Sequence, residues 1–524
     1  MQSNQFDTSP WLNARSSDTS GQTGYDGSSD AWLFTDTIDN GTHLLYHNVS
    51  HSGIVTFSVY AKANTIDWLE IRSYSGGDTI NAFFDLANGV LGDALFRSAI
   101  DAKIESVGNG WYRCSVTGNT NGTNTYVRIA LADSDNGATY TGTGNGSIYI
   151  QNAQLETGLV ATDYLDSGAT TAKAGVLIDL PRINYDANGE NGALLLEPQR
   201  QQLIQYSEYF GASYWTKSGA SVVSGFTSPE GLGNAYKLVE DTNNGGHQIY
   251  SSFFSGSAGN NYTTSFFVKA GERTWCRILT YGGTSVFFDL ENGVKGTESN
   301  ATGSIEPLEN DWYKISSTYS SQSSERAYLY IAESDGVASY QGDGSSGIYV
   351  YGAQAEAGSY STSYIPNHGT SGGVTRAADN HDLPDITSLI GNTQGSWFMD
   401  WEIADSSTRD NSEVGFELSS DDNRDELNFS VGSDGNMRMF VRADNNYSQK
   451  YATSNKSGKW CLVWNGTSLK LFQNGVEVYS DASALIYNDY TTYEGNPNLQ
   501  YKVKQVIIFP TALTDAECIT LTTL

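Results

Sequence analysis

Cysteine is rare, with four residues in 524: Cys114, Cys276, Cys461 and Cys518. No two lie at zinc-ligand spacing, and so wide a scatter suggests no disulfide framework. Basic residues are also few. The 29 Lys and Arg stand against 59 Asp and Glu, a formal net charge of −30. Such a surface repels phosphate backbones and argues against a nucleic-acid partner. Most of the acidity reads as a solvated, solubilising surface. No apolar run approaches the roughly 20 residues that span a bilayer, and no charged-then-apolar leader pattern is visible, so neither membrane insertion nor general secretion is indicated. With six histidines, none beside a repeated nucleophile, a Ser-His-Asp or Cys-His relay has no support.

What the chain has in quantity is turn and strand material: 55 Gly, 33 Tyr, 11 Trp and 12% aromatic residues. This composition favours short strands with tight turns over helices. At about 150 residues per domain the length predicts three or four domains. A duplication organises the first 380 residues. Phe84-Asp85-Leu86 returns 204 positions later as Phe288-Asp289-Leu290, and Trp111-Tyr112-Arg113 returns as Trp312-Tyr313-Lys314. The stretch 148–158 returns 200 positions later as 348–358. Cys114 then falls opposite Ile315 and Cys276 opposite Leu69, so these thiols read as small buried hydrophobes. Segments 54–63, 125–133, 273–281 and 327–335 alternate β-branched and aromatic residues as strands do. Pairs such as Asn88-Gly89 supply the hairpin turns between them. The expected organisation is a β-sandwich repeat over 1–180, a connector over 181–204 anchored by Leu194-Leu195-Leu196, a second repeat over 205–380, and a different domain over 381–524.

The blocks Tyr206-Ser207-Glu208, Ser265-Phe266-Phe267, Asn310-Asp311-Trp312-Tyr313 and 348–358 together resemble a module recurrent in phage tail-fibre and head-fibre proteins. The connector, with Tyr185-Asp186-Ala187-Asn188-Gly189 and Leu194–Arg200, fits the same proteins. Residues 1–13 resemble a module entered mid-motif, which implies that the chain is a piece of a longer polypeptide. In the last domain, 458–478 and 501–521 resemble the laminin G-like, concanavalin A-like jelly roll. Thr514 and Glu517 there make a capping-box pattern. The fold class is therefore expected to be all-β: tandem β-sandwich (jelly-roll) domains, two homologous repeats plus a concanavalin A-like domain.

Candidate chemistry is sparse. Loops 36–43 and 240–247 correspond between repeats and offer Asp36, Asp39, Asn40, Glu240, Asp241 and Asn243 as hard oxygen donors that suit calcium, Ca2+, in a structural role. The alternative is an ordinary Asx-rich hairpin. For sugar stacking, the loops carrying Tyr140, Tyr340 and Asp343, and Tyr487, Tyr490 and Tyr493 in the last domain, offer aromatic and polar groups together. His43, His47 and His51 read as packed or surface residues, and Trp111 and Trp312 as core. A glycoside hydrolase would need two carboxylates flanking the scissile bond. The nearest approaches, Asp400 and Glu402 with Asp405, and Glu413 with Glu417, do not match the Glu-x-Asp-x-x-Glu pattern of retaining glucanases on the concanavalin-like fold that the last domain resembles. Asp421, Asp422, Asp425 and Glu426 read as a solvated loop.

The resemblance to phage fibre modules implies a non-catalytic virion protein, fibre or decoration, displayed at the virion surface or extracellularly. Its partners would be a polysaccharide or cell-surface glycan and other virion proteins. Fibres of this type are often homotrimers, but no heptad seam enforces one here. The competing readings are the binding region of a polysaccharide-degrading enzyme, a cryptic hydrolase or lyase in 381–524, and a purely structural spacer.

Overall fold

The computed structural model describes residues 3–523 except 77, 95–98, 123, 169–182, 186–191, 380–381, 384, 391–392, 404–413, 421–424, 433, 445, 467, 485–489 and 496–500. Strands dominate, and the only α-helix among the described residues is Asp515–Thr523. Alternation fixes which side of each strand is buried. In Trp68–Ser75, Leu69, Ile71 and Ser73 are buried while Trp68, Arg72 and Tyr74 stand half-buried on the other side.

The first repeat is a sandwich of two six-stranded antiparallel sheets. Its front sheet runs Trp11–Ala14, Leu44–Asn48, Thr125–Ala132, Trp68–Ser75, Asp78–Asp85, Val90–Ala94. Its back sheet runs Ala99–Gly108, Trp111–Thr120, Gly53–Ala63, Ser147–Thr157, Ala31–Asp36, Ser16–Gln22. The second repeat reproduces both orders. Its front sheet runs Trp215–Ser218, His247–Ser251, Ala327–Ala332, Trp275–Thr280, Ser285–Asp289, Val294–Ser299. Its back sheet also has six strands, with Asn261–Ala270 between Trp312–Ser320 and Gly347–Ala357. Twelve strands in the same spatial order make the duplication a structural one. The thiol alignment also fits: Cys114 and Ile315, and Cys276 and Leu69, are all fully buried.

The last module pairs a seven-stranded with a five-stranded sheet. Trp397, Trp401, Trp460 and Trp464 fill the space between them. Thr514 and Glu517 cap the helix reciprocally, Thr514 N–H to Glu517 Oε2 at 2.8 Å and Glu517 N–H to Thr514 Oγ1 at 3.3 Å. The helix packs Cys518 toward Cys461, their sulfurs 3.7 Å apart.

The stretch 181–204 is not a free connector. Ala193–Leu196 pairs with Tyr501–Phe509 and so belongs to the seven-stranded sheet. Arg200–Gln202 pairs with Val374–Arg376 at the tail of the second repeat. The three leucines need a partner surface, and the unpaired edge of the last strand supplies it. The repeats also touch: Ile54 N–H donates to His368 O at 2.8 Å, and Ile54 and Leu159 join the second repeat's core.

Candidate functional site

The loops expected to hold calcium and those expected to stack sugar fold onto each other. Thr139–Thr141 pairs with Asn40–Thr42, and Tyr340–Gln341 pairs with Asn244–Gly245. Asp36 is 3% exposed and accepts Gly146 N–H at 2.9 Å and Thr143 N–H at 3.0 Å, with the Tyr140 hydroxyl at 3.4 Å. Glu240, equally buried, accepts two Arg273 N–H groups, the Tyr340 hydroxyl at 2.7 Å and Asp343 N–H at 2.9 Å. Burial pushes the Glu240 carboxyl up, but the Arg273 and Tyr340 bonds hold it below its usual value.

This geometry lends the calcium expectation no support. The inner carboxylates already accept protein donors, and among the described residues no group of three or more His, Cys, Asp or Glu is placed to hold a metal ion. Asp39 accepts the Thr37 hydroxyl, Asn40 sits exposed in a short strand, and Asp241 turns back on Asn243. These are Asx-rich hairpins.

The sugar-stacking expectation is corrected. Tyr340, Tyr490 and Tyr493 are core residues, at 5%, 1% and 1% exposure, with no ring face open. Tyr140 is half-buried against His43, ring centroids 4.6 Å apart. Asp343 folds back on the Ser346 hydroxyl and on the Ser346 and Ser345 N–H groups, which hold its carboxyl well below the usual range. Tyr487 lies outside the described residues.

What remains open is the outer face of each front sheet. In the first repeat Tyr46, Arg128, Arg72 and Asn81 lie in one row across four strands. The neighbouring row is Leu44, Ala130, Glu70 and Phe83. Glu70 is fully buried and accepts Arg72 at 2.7 Å, Arg128, and Asn81 at 3.1 Å. Tyr74 stacks on Tyr126 with centroids 4.9 Å apart. In the second repeat the row matching the first is Tyr250, Tyr328, Leu279 and Ser285, and the row matching the second is Gln248, Tyr330, Arg277 and Phe287.

Here the Arg277 guanidinium lies 4.1 Å over the Tyr330 ring and 5.5 Å from Phe287. Tyr330, Tyr328 and Tyr250 form a continuous ring track, with centroids 6.4 and 4.9 Å apart. A cavity of 530 Å³ opens on this face, lined by Ser218, Gln248, Arg277, Tyr330 and the loop before Tyr340. Nothing in loop composition pointed to these side chains. The signal was the polar half of each strand's alternation, which carries Tyr, Trp and Arg where a solvated face would carry Ser, Thr or Lys.

A second outer face lies on the five-stranded sheet of the last module. Glu417 is opposite Glu494 and Asn428, with Glu426 one row along beside Arg442. Asp425 and Glu426 are 6% and 7% exposed, Glu426 opening the strand Glu426–Val431 and Asp425 just before it, so neither is solvated; Asp421 and Asp422 lie outside the described residues. Burial, with Glu426 and Glu494 nearby, pushes the Glu417 carboxyl up to about 7. Asp405 and Glu413 lie outside the described residues, and Asp400 faces Lys459 at 4.0 Å. His43 and His247 are matched buried histidines, each bonded through Nδ1 to a backbone carbonyl.

No family model and no curated protein matches the chain. Among solved structures it is similar to the N-terminal CBM22-1–CBM22-2 tandem domain of Xyn10C from Paenibacillus barcinonensis, at 13% identity, covering 67% of this chain and 94% of that one, TM-score 0.22. It is similar to the GH43 BlXynB protein from Bacillus licheniformis at 10% identity, covering 91% and 100%, TM-score 0.19. It is similar to domains LG4-5 of the mouse laminin alpha1 chain at 8% identity, covering 66% and 96%, TM-score 0.16. At these identities and TM-scores the likenesses define neither a family nor an activity. The class of protein follows from the fold alone: an all-β chain of duplicated sandwiches and a third two-sheet module.

Proposed function

We propose that the chain is a non-catalytic glycan-binding protein that uses the outer faces of its two front sheets. One observation carries this reading. Both repeats turn half-buried tyrosines and planar polar groups outward on the same sheet, where a soluble sandwich needs neither. Sugar rings offer C–H faces that pack on aromatic rings, and hydroxyls that pair with Arg, Asn, Gln and Glu. The resemblance to phage fibre modules supports a finer reading, a fibre or decoration protein at the virion surface with other virion proteins as partners.

Affinity electrophoresis of the full chain in gels containing neutral and acidic polysaccharides tests the binding reading. Retardation by at least one polymer, abolished in a Tyr74→Ala/Tyr126→Ala/Tyr250→Ala/Tyr328→Ala variant of native melting temperature, is the expected result. Indifference to every polymer would overturn it in favour of a spacer. Proteomics of purified phage particles tests the virion setting.

A second reading has its own observation. Glu417, held protonated near neutrality beside two further glutamates, has the properties of a general acid. Release of reducing ends from a polysaccharide, lost in Glu417→Gln, would establish it.

A further inference from the structure

We infer that the second repeat's front face takes an anionic sugar, one carrying a carboxylate or a sulfate, with Arg277 and Arg326 receiving the charge. This rests on the glycan-binding reading and narrows it to a substrate class.

Both arginines sit on one ring track. Arg277 lies over Tyr330, while Arg326 lies 5.2 Å from Tyr250 and 3.7 Å over Phe253. Phe253 and Tyr281 are about half exposed and pack edge to face at the rim. Neither arginine enters an ion pair among the described residues, and the Nε of each is buried without a hydrogen-bond partner. Gln248 Oε1, in the same cavity as Arg277, is likewise buried without a partner.

Of the nearby carboxylates, Glu325 is buried and accepts Gln322 N–H through Oε1, while among the described residues its Oε2 has no hydrogen-bond partner and makes no ion pair with Arg326. Asp289, one outward row from Arg277, accepts Glu291 and Asn292 N–H. A chain of net charge −30 thus leaves two half-buried guanidinium groups without a carboxylate partner on one aromatic face, Arg277 being hydrogen-bonded to the Tyr330 side chain. A half-buried guanidinium whose Nε has no partner leaves a donor unsatisfied, and an oxyanion from a ligand would fill it with a charge-assisted bond. The first repeat marks the contrast: at the point matching Arg277 it carries Glu70, already paired with Arg72 and Arg128.

The test is isothermal titration of the full chain with a polyuronate, its carboxyl-reduced counterpart and a sulfated polysaccharide. The expected result is binding of the polyuronate or the sulfated polymer, weakened about tenfold or more in Arg277→Gln/Arg326→Gln. Arg277→Lys should retain part of the affinity, which separates lost charge from lost fold. Reduction of the carboxyl groups should abolish binding if the anion is a uronate and leave the sulfated polymer unaffected. Equal affinity for the reduced and acidic polymers, or full binding by the double variant, would overturn the anionic specificity and leave glycan binding standing. Binding to none of the three would remove both.

Discussion

Glu70 and Arg277 stand at the same point of two copies of one sheet, each two residues after the tryptophan that opens its strand, Trp68 or Trp275. One is a carboxylate enclosed by two guanidinium groups and an amide, the other a guanidinium with no carboxylate. Their removal should cost very different amounts. Glu70→Ala strands Arg72 and Arg128 and should destabilise by about 3 kcal/mol, the low end for a broken buried pair because both arginines reach partway into solvent. Arg277→Gln removes ring contact and a hydrogen bond with Tyr330 but strands no charge, and should stay within about 1 kcal/mol. Urea midpoints of the two variants decide this, and equal losses would contradict the pairing.

The pH dependence of stability should carry two opposed slopes. Burial, with Glu230 nearby, pushes the Glu208 carboxyl up to about 7 against hydrogen bonds from Tyr351 and Tyr364. A carboxyl raised on folding contributes stability that is complete below its unfolded value of about 4.5 and is lost as pH rises through about 7. Glu208→Gln should therefore stabilise at pH 8 by about 1–3 kcal/mol and leave pH 4 unchanged. Thermal midpoints across that range show it directly.

His368 works in the other direction. Burial pulls its imidazole down to about 4, so the folded state holds fewer protons than the unfolded chain between that value and about 6.5. Its contribution is present above pH 6.5 and is lost as pH falls through 4. Because His368 O accepts Ile54 N–H between the repeats, protection of the Ile54 amide from hydrogen exchange should weaken at acid pH. Unchanged protection of that amide at pH 4 would count against the coupling.

The strands, the duplication and the capped helix were legible because each rests on local chemistry: alternation, Asn-Gly turns, and a Thr514–Glu517 pair three residues apart. The candidate site was not, because exposure is a property of packing. Tyr340 and Tyr330 look alike in sequence, yet one closes a hairpin onto Glu240 and the other lies open beside Arg277. Asp36 and Glu240 carry the right atoms for calcium, but only the fold reveals that backbone amides and Arg273 already occupy them. The role of 193–196 was hidden because its partner strand lies some 300 residues later.

Chelation should accordingly leave stability unchanged. The Asp36 oxygens are filled by Gly146 and Thr143 N–H, so melting with a calcium chelator and with added calcium should coincide. Asp36→Ala, which orphans those two donors at a site 3% exposed, should cost about 1–3 kcal/mol. A melting temperature that rises with calcium would restore a metal to the hairpins.

The four thiols should resist alkylation until the chain unfolds. All are buried, and burial pushes Cys114 and Cys276 well above the ordinary thiol range, leaving almost no reactive thiolate. Mass spectrometry after iodoacetamide should find none modified in buffer and all four in denaturant. Cys461 and Cys518 differ from the other two in facing each other at 3.7 Å. A disulfide needs about 2 Å between sulfurs, a small approach for a helix resting on a strand. A thiol oxidant should therefore join this pair alone, tying the last helix to the Gly458–Asn465 strand and raising the melting temperature of the wild type but not of Cys518→Ala. Labelling of Cys461 in the native chain before any unfolding would show that the helix does not cover it.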